Sequence, residues 1–228
     1  MADNGSMLKG RHDLHLVRKL WHAAMGLMMV YVYAFLMSRE QALKTLGLAF
    51  CVIFFAELVR LRSPAINEWL TRGARHIMRQ CERHRLSGTP YYIASVFLAI
   101  LIFPKPLALL AILLLAIGDP VASFFGVLWG DKSVRFSNGK SLVGTVAGIV
   151  ACYVSMTIGV WLLSERGILP RYSDFQVAVC SFLGALAGGT AELLPIEIDD
   201  NFTIPLVVGF TLWLIFAITG WNFYLNPM

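Results

Sequence analysis

The amino-acid sequence predicts an all-α fold, a polytopic membrane helix bundle of about seven transmembrane helices with an amphipathic helix at the cytoplasmic interface. Composition is the first observation: of 228 residues, 57% are hydrophobic and 14% are charged, whereas soluble domains average ~45–50% apolar and ~25% charged residues. The second is that the apolar residues form long continuous runs. The third is a polar stretch whose apolar residues recur at helical spacing. Together they exclude disordered, collagen-like and disulfide-stabilised secreted chains.

Seven apolar runs are each predicted to form one crossing, because ~20 apolar residues span the hydrocarbon core of a bilayer. The runs cover residues 20–37, 42–59, 91–103, 106–129, 142–163, 175–193 and 202–221. The third run is short, and only Pro104-Lys105-Pro106 separates it from the fourth, so a re-entrant hairpin is the alternative there. We therefore expect an N-terminal tail of residues 1–17 and one integral-membrane catalytic domain over 18–228.

The distribution of basic residues predicts which way the bundle points. Seven crossings place the N-terminus and the loops after the second, fourth and sixth runs on one side, and these segments carry 14 of the 19 Lys and Arg residues. The positive-inside rule assigns that side to the cytoplasm. The polar clusters described next all fall on it.

The polar stretch lies within residues 62–88. Over residues 65–86 it is predicted to be a single helix lying in the cytoplasmic interface, with apolar residues on one face and arginines on another. The arginines are Arg72, Arg75, Arg79 and Arg83. Surface anchoring is the simpler interpretation, and direct contact with a nucleotide or an anionic lipid product is the alternative.

A carboxylate, Asp119, lies within the fourth run and is followed by Pro120. A charge at membrane depth costs ~2.5–3.5 kcal/mol on insertion scales, so it needs a partner. Either an Arg or Lys of another helix pairs with Asp119, or Asp119 holds Mg²⁺ or a cation-bound phosphate in a cytoplasm-facing cavity. The four-residue spacing of Ala122, Gly126 and Gly130 favours close helix packing over a phosphate cradle.

The loop before the fifth run contains Gly139-Lys140-Ser141, which is similar to the end of a P-loop. Val134 replaces the first glycine of that motif, and no strand precedes it, so the P-loop interpretation fails. A glycine turn at a helix N-terminus nevertheless offers free backbone N–H groups. Together with the charge of Lys140, these groups suit a polyphosphate.

Four acids and an asparagine precede the seventh run: Glu192, Glu197, Asp199, Asp200 and Asn201. A solvated acidic loop is one interpretation. Asp199-Asp200-Asn201 at the start of a helix is also a compact set of hard oxygen ligands for Mg²⁺.

Basic residues open the first run, where Arg18 and His22 share one helix face and Lys19 lies one turn from His22. Arg18 and Lys19 are typical of membrane-interface anchors. His22 is either a core histidine whose hydrogen bonds are satisfied or a residue of the site. Near the inner end of the second run, Glu57 is positioned to pair with Arg60, as a structural pair or in the wall of the same cavity.

Four segments in order resemble the CTP-dependent lipid kinase family: RKLWHAAMG, GDPVASFFGVLWG, GKSLVGTVAG and IDDNFTIPL. This family includes dolichol kinase, phytol kinase and yeast-type diacylglycerol kinase, and it is related to the phosphatidate cytidylyltransferases. The resemblance implies a membrane enzyme that transfers the γ-phosphate of CTP to the hydroxyl of a lipid alcohol with a divalent metal. A CDP-lipid-forming cytidylyltransferase is the alternative, and a non-enzymatic transporter or scaffold is a more distant one.

The resemblance and the clusters together predict the site residues. Expected ligands of Mg²⁺ are Asp119, Asp199, Asp200 and Asn201, and the expected catalytic residues are Asp119, Lys140, Asp199 and Asp200. Expected nucleotide-binding residues are Arg18, Lys19, Lys132, Gly139, Lys140 and Ser141, and His22 and Glu57 are expected at the lipid.

The chain departs from the family at Val143, where many members carry a Glu, so Glu192 or Asp131 would have to replace that acid. We expect CTP, a lipid alcohol and membrane lipids as partners, and no nucleic acid. Two glycine pairs, Gly144/Gly148 and Gly184/Gly188, serve either internal packing or a homodimer.

Overall fold

A computed structural model of the protein describes residues 16–74, 77–193 and 199–223. These residues form eight α-helices and two short 3-10 turns, Gln80–Arg83 and Gly130–Lys132, with no β-strand among them. The helices are α1 (Leu16–Phe35), α2 (Arg39–Arg62), α3 (Pro64–Gly73), α4 (Gly88–Ile102), α5 (Lys105–Trp129), α6 (Leu142–Glu165), α7 (Asp174–Ala191) and α8 (Asp200–Thr219).

Five helices, α2, α5, α6, α7 and α8, are long and apolar enough to cross a membrane, and α4 is a shorter apolar helix. Each predicted apolar run coincides with one helix of the structure, the first of them with α1. The protein is therefore an all-helical integral membrane protein, as its composition predicted. The number of crossings stays a prediction.

Local sequence explains where several helices begin. Ser38, Ser141 and Ser173 cap α2, α6 and α7 with their hydroxyl oxygens, and the Asp199 carboxylate caps α8. A short polar side chain at this position accepts a hydrogen bond from one of the N–H groups that the first helical turn leaves free. The caps at Ser141 and Asp199 fix the starts of α6 and α8, and both lie beside the candidate site.

Helix α5 is the centre of the bundle and packs against α1, α4, α6, α7 and α8. Small residues allow a close crossing with α6: a Cβ added at Gly144 would lie 2.7 Å from the Ala122 carbonyl oxygen, and one at Gly148 would lie 2.8 Å from the Ala122 Cβ. Gly184 packs in the same way against Met156. These glycines therefore serve packing within the chain, whereas a homodimer stays untested.

The polar stretch does not form the single helix predicted over residues 65–86. Helix α3 ends at Gly73, and Arg79 and Glu82 belong to a separate 3-10 turn. Two hydrogen bonds hold this turn in place. The Glu82 carboxylate accepts one from the Arg79 N–H at 2.7 Å and one from the Arg18 guanidinium of α1 at 2.9 Å. The predicted arginine face is wrong for this reason, and Arg75 lies outside the described residues.

Candidate active site

Polar residues from many helix ends meet at one end of the bundle. The starts of α1, α4, α6 and α8 lie there with the ends of α2, α5 and α7, as their mutual side-chain contacts show. Of the predicted site residues, Asp119, Gly139, Lys140, Ser141 and Asp200 line one pocket there. We call it the polar pocket, and it is open to the outside of the protein.

Lys140 is the centre of charge in the polar pocket. Its ammonium donates to the Glu192 carboxylate at 3.0 Å and to the Asp200 carboxylate at 2.5 Å. Although burial opposes the charge, Glu192, Asp200 and Asp119 raise the pKa of Lys140 above its usual value. Burial raises the pKa of Glu192 to about 7, against the attraction of Lys140. Three carboxyl groups thus surround one fixed ammonium.

The loop before α6 lines the polar pocket, but three of the backbone N–H groups in it and at the start of α6 already have partners. The N–H of Gly139, in the left-handed region at φ +79°, donates to the Phe136 carbonyl at 2.9 Å. The Lys140 N–H donates to the Asn138 side chain at 3.1 Å, and the Gly144 N–H to the Ser141 hydroxyl at 3.2 Å. These three N–H groups are therefore not available to a phosphate, because the turn and the helix cap use them.

Two arginines outside the predicted set of site residues also line the polar pocket, Arg79 and Arg135. Arg135 pairs with Asp131 at 2.6 Å and donates to the Gly139 carbonyl at 3.1 Å, which ties its guanidinium to the rim. Lys132 is exposed and lies outside the pocket lining. The sequence signal for Arg79 was its place in the arginine series, for which nucleotide contact was the alternative to surface anchoring.

Arg18 and Lys19 have different environments. The Arg18 guanidinium makes two 2.9 Å hydrogen bonds to the Glu82 carboxylate and one to the Ile77 carbonyl, so it joins α1 to the 3-10 turn. The Lys19 ammonium is buried without a hydrogen-bond partner in the described part of the chain, 5.7 Å from the centre of the Phe124 ring. Lys19 thus has an ammonium that no described residue accepts from.

A second cavity lies beside the polar pocket, between α1, α2, α3 and α4. We call it the amphipathic cavity, and His22, Glu57 and Asn201 all line it. His22 stands in the wall between the two spaces, because its Nδ1 lies 3.8 Å from the Asp119 carboxylate. The Glu57 carboxylate accepts two 2.9 Å bonds from Arg60 and one of 2.7 Å from the Ser87 N–H. The predicted Glu57–Arg60 pair is therefore present.

The predicted magnesium ligands divide between the two spaces. Asp119 and Asp200 face the polar pocket, whereas Asn201 lines the amphipathic cavity. Asp199 caps α8, accepting from the Asn201 N–H at 3.0 Å and from its side-chain amide at 2.6 Å. Burial also raises the pKa of Asp199 above its usual value. Glu197 lies outside the described residues.

The donor chemistry of the polar pocket still fits Mg²⁺. Within residues 16–74, 77–193 and 199–223, no group of three or more His, Cys, Asp and Glu side chains is arranged to hold a metal. Mg²⁺, however, is commonly bound through one or two carboxylates while substrate phosphates and water complete its shell. Asp119 and Asp200 match that mode.

The fold and the site together define a class of protein: an integral membrane helix bundle with a charged, phosphate-compatible pocket at one end and a partly apolar cavity next to it. Comparisons with known proteins agree with this class. CTP-dependent diacylglycerol kinase 1 of Saccharomyces cerevisiae is 28% identical over 201 residues, covering 83% of this chain and 69% of that protein. The kinase of the same name from Schizosaccharomyces pombe is 27% identical over 205 residues, covering 87% and 92%.

Farnesol kinase of Arabidopsis thaliana is 26% identical over 215 residues, covering 91% of this chain and 68% of that protein. No profile of a known protein family matches the chain, and no solved structure matches it. The chain is thus a homologue of the CTP-dependent lipid kinases, which confirms the resemblance seen in its motifs.

Proposed function

We propose that this protein is a membrane lipid kinase that transfers the γ-phosphate of CTP to the hydroxyl of a lipid alcohol, with Mg²⁺ as cofactor. One observation carries the proposal: Lys140 and the carboxylates of Asp119 and Asp200 line a single pocket that shares the His22 wall with a partly apolar cavity. Homologues named as diacylglycerol and farnesol kinases support the same reaction.

The polar pocket is the proposed site of the nucleotide phosphates. Phosphoryl transfer depends mainly on positioning and on stabilising charge that spreads over the transferred group. Lys140, with Arg79 and Arg135 around it, supplies that stabilisation from fixed positions. Lys19 adds a buried ammonium close to Asp119, whereas Arg18 contributes by holding the 3-10 turn of Glu82 in place.

Asp119 and Asp200 would hold Mg²⁺, which when bound neutralises phosphate charge during transfer. Asp199 acts in the same proposal by capping α8 and so fixing the position of Asp200. Glu192 takes the place of the acid that many relatives have at position 143, because it lines the polar pocket and Asp131 does not. The lipid approaches from the amphipathic cavity, at the His22 wall, with Glu57 and Arg60 holding the α2 side of that cavity.

A direct assay tests the reaction. The purified protein in detergent is given CTP, Mg²⁺ and, in turn, diacylglycerol, phytol, farnesol and a polyprenol. We expect a lipid monophosphate and CDP from at least one alcohol, and a greater rate with CTP than with ATP. Release of pyrophosphate would show a cytidylyltransferase instead, and no product from any alcohol would overturn the kinase assignment.

A further inference from the structure

The amphipathic cavity contains two buried polar atoms that the protein leaves unpaired. The Tyr92 hydroxyl and the Asn201 side-chain oxygen have no hydrogen-bond partner among the described residues, although both residues line the cavity. Tyr92 is 7% exposed and Asn201 is 8% exposed. Leaving a buried polar group unpaired is unfavourable. Both oxygens lie just below the cavity surface, with the Tyr92 hydroxyl packed against Gly26, so a ligand supplies the missing partners when these side chains turn toward the cavity.

The chemistry of these two atoms selects the kind of ligand. The amide oxygen of Asn201 only accepts a hydrogen bond, whereas the Tyr92 hydroxyl donates or accepts one. A carboxylate or phosphate offers acceptors alone and so cannot bond to the Asn201 oxygen. An ammonium could bond to both atoms, but the acceptor in the proposed reaction is a hydroxyl. A hydroxyl offers both a donor and an acceptor, and so does a lipid head that carries one.

The cavity also connects this polar end to the proposed phosphate site. The His22 ring contacts the Tyr92 ring edge to face, with 4.7 Å between their centres, and its Nδ1 lies 3.8 Å from Asp119 of the polar pocket. A hydroxyl beside Tyr92 and His22 is therefore next to the carboxylate that faces the nucleotide phosphates.

The other end of the cavity is apolar and lies between α1 and α2. Met25 and Met29 of α1 and Ile53 of α2 line it, all half-buried. Helix α1 packs against α5 whereas α2 packs against α4, so these consecutive helices leave room between them. Flexible methionine side chains adapt to apolar ligands of different shape.

A competing groove runs between α1, α5 and α6 on another face of α1. It is lined by apolar residues such as Leu27, Ile117 and Val150. Its one polar residue, Ser155, already donates its hydroxyl to the Cys152 carbonyl at 3.1 Å. This groove therefore offers no unpaired group to a lipid head.

We propose that the amphipathic cavity is the binding site of the acceptor lipid: the hydroxylated head lies against Tyr92 and Asn201, and a hydrocarbon chain leaves between α1 and α2 along Met25, Met29 and Ile53. This inference rests on the proposed lipid kinase function and deepens it. Tyr92 and Asn201 bind and orient the acceptor, and the path between α1 and α2 decides which chains fit.

Placing a tryptophan side chain in the amphipathic cavity or in the competing groove tests which of them holds the hydrocarbon chain of the lipid. Met29→Trp should raise the KM for the lipid alcohol about tenfold or more, because the cavity loses the volume that the chain needs, and leave the KM for CTP unchanged. The matched control, Val150→Trp, blocks the competing groove and should leave both constants within about twofold of wild type. The reverse pattern would overturn the proposal.

Removing one hydroxyl tests the polar end. Tyr92→Phe should raise the KM for the lipid alcohol by about five- to tenfold, the usual loss for one hydrogen bond, with the KM for CTP and the melting temperature unchanged. An unchanged KM for the lipid would contradict the role of Tyr92.

Photo-crosslinking gives a readout that does not need catalysis. A long-chain fatty alcohol carrying a diazirine on its chain is irradiated with the detergent-purified protein, and modified residues are mapped by mass spectrometry. Label is expected on α1 and α2 around Met25, Met29 and Ile53, and label concentrated on α6 around Val150 would overturn the site. If no alcohol is phosphorylated but the label still maps to α1 and α2, the kinase proposal fails while the lipid site stands.

Discussion

Lys140 illustrates how much of the site depends on single side chains. Its ammonium is fixed by Glu192 and Asp200 at 3.0 and 2.5 Å, so it faces the pocket without freedom to move away. A charge that is already oriented stabilises a transition state without reorganisation at the moment of reaction. For the same reason the arrangement is fragile, since removal of the ammonium leaves buried carboxylates facing one another.

Lys140→Met should lower kcat for lipid phosphorylation about 100-fold or more, because it removes the fixed charge from the polar pocket. Lys44→Met is the control, since Lys44 pairs with the exposed Glu40 at the opposite end of the bundle. Lys132→Met, outside the pocket lining, should cost much less than Lys140→Met. Equal losses for Lys132 and Lys140 would contradict the geometry of the polar pocket.

Glu192 predicts a pH dependence of stability. Burial raises the pKa of Glu192 to about 7, whereas an unfolded chain releases this proton near ~4.3. Between these two pKa values the folded protein therefore binds more protons than the unfolded chain. The contribution of Glu192 to the free energy of unfolding falls as pH rises from the lower value to the higher one, and it stays level above the higher one. Thermal unfolding from about pH 5 to about pH 8 should show a smaller decline in Glu192→Gln than in wild type.

The control for this measurement is Glu165→Gln, because Glu165 is a carboxylate on the exposed end of α6 that pairs with Arg171 at 3.3 Å. It should keep the pH dependence of the wild type. A Glu192→Gln variant with an unchanged pH profile would show that Glu192 titrates at its ordinary value.

At the scale of helices, the α5–α6 crossing decides the width of the polar pocket. Gly126 and Gly144 lie at the crossing and also line the pocket. Gly144→Ala would place a methyl group 2.7 Å from the Ala122 carbonyl oxygen, which forces the helices apart. Overpacking of this kind costs ~1–3 kcal/mol, and we expect a lower melting temperature together with weaker CTP binding.

Gly47→Ala is the matched control for the α5–α6 crossing. Gly47 lies in α2, where an added Cβ would meet only the Phe97 ring at an ordinary 3.5 Å. Alanine is preferred over glycine in a helix by up to ~1 kcal/mol. This variant should therefore melt at or above the wild-type temperature and keep its activity, and an equal loss in both glycine variants would contradict the packing argument.

The corner between α2, α3 and α4 depends on one buried ion pair. Arg60 is 1% exposed and bonds to Glu57, to Asn67 and to the Arg85 carbonyl. Arg60→Leu should destabilise the protein by ~3–5 kcal/mol, because it leaves the largely buried Glu57 carboxylate without its counter-charge and with only the Ser87 N–H as a partner. The double variant Glu57→Leu/Arg60→Leu should recover much of the lost thermal stability. No recovery would contradict the ion-pair argument.

The helices themselves were the part of the fold that sequence predicted well. Continuous apolar runs identify long helices, because a bilayer core requires every backbone group to bond within its segment. Residues 65–86 were predicted poorly for a physical reason: Arg72 and Arg79 have helical spacing, but the Glu82 carboxylate bonds to Arg18 and to the Arg79 N–H and holds a different chain path. Such a competing long-range bond leaves no periodic signal.

At the scale of the whole molecule, alternating helix direction brings the separate motifs together. Asp119, Lys140 and Asp200 were predictable as one site, because Lys140 and Asp200 lie at helix starts and Asp119 lies in the half of α5 that leads to the same end of an up-and-down bundle. The roles of Arg135 and Tyr92 and the cavity between α1 and α2 could not be predicted. They depend on how neighbouring helices pack, and the sequence pattern does not show that packing.

Because successive helices run in opposite directions, labelling the two ends of one helix tests which side of the membrane the polar pocket faces. Helix α6 has 24 residues, a length of ~36 Å at ~1.5 Å per residue, which exceeds a hydrocarbon core of ~30 Å. The exposed Lys132 precedes α6 beside the polar pocket, and the exposed Arg171 follows α6 at the other end. Since the seven predicted crossings assign 14 of the 19 basic residues to the side that carries Lys132, we predict that Lys132 is cytoplasmic and Arg171 is not.

Variants with one exposed cysteine, Lys132→Cys and Arg171→Cys, measure this orientation. They are made after the exposed Cys51 and Cys81 are replaced by serine, while the other two cysteines are buried. A membrane-impermeant maleimide should label the position-132 variant only in inside-out vesicles and the position-171 variant only in right-side-out vesicles. Retained lipid kinase activity serves as the control for folding. The opposite labelling would mean that the polar pocket faces away from cytoplasmic CTP. Labelling of both variants from one side would mean that α6 does not cross the membrane.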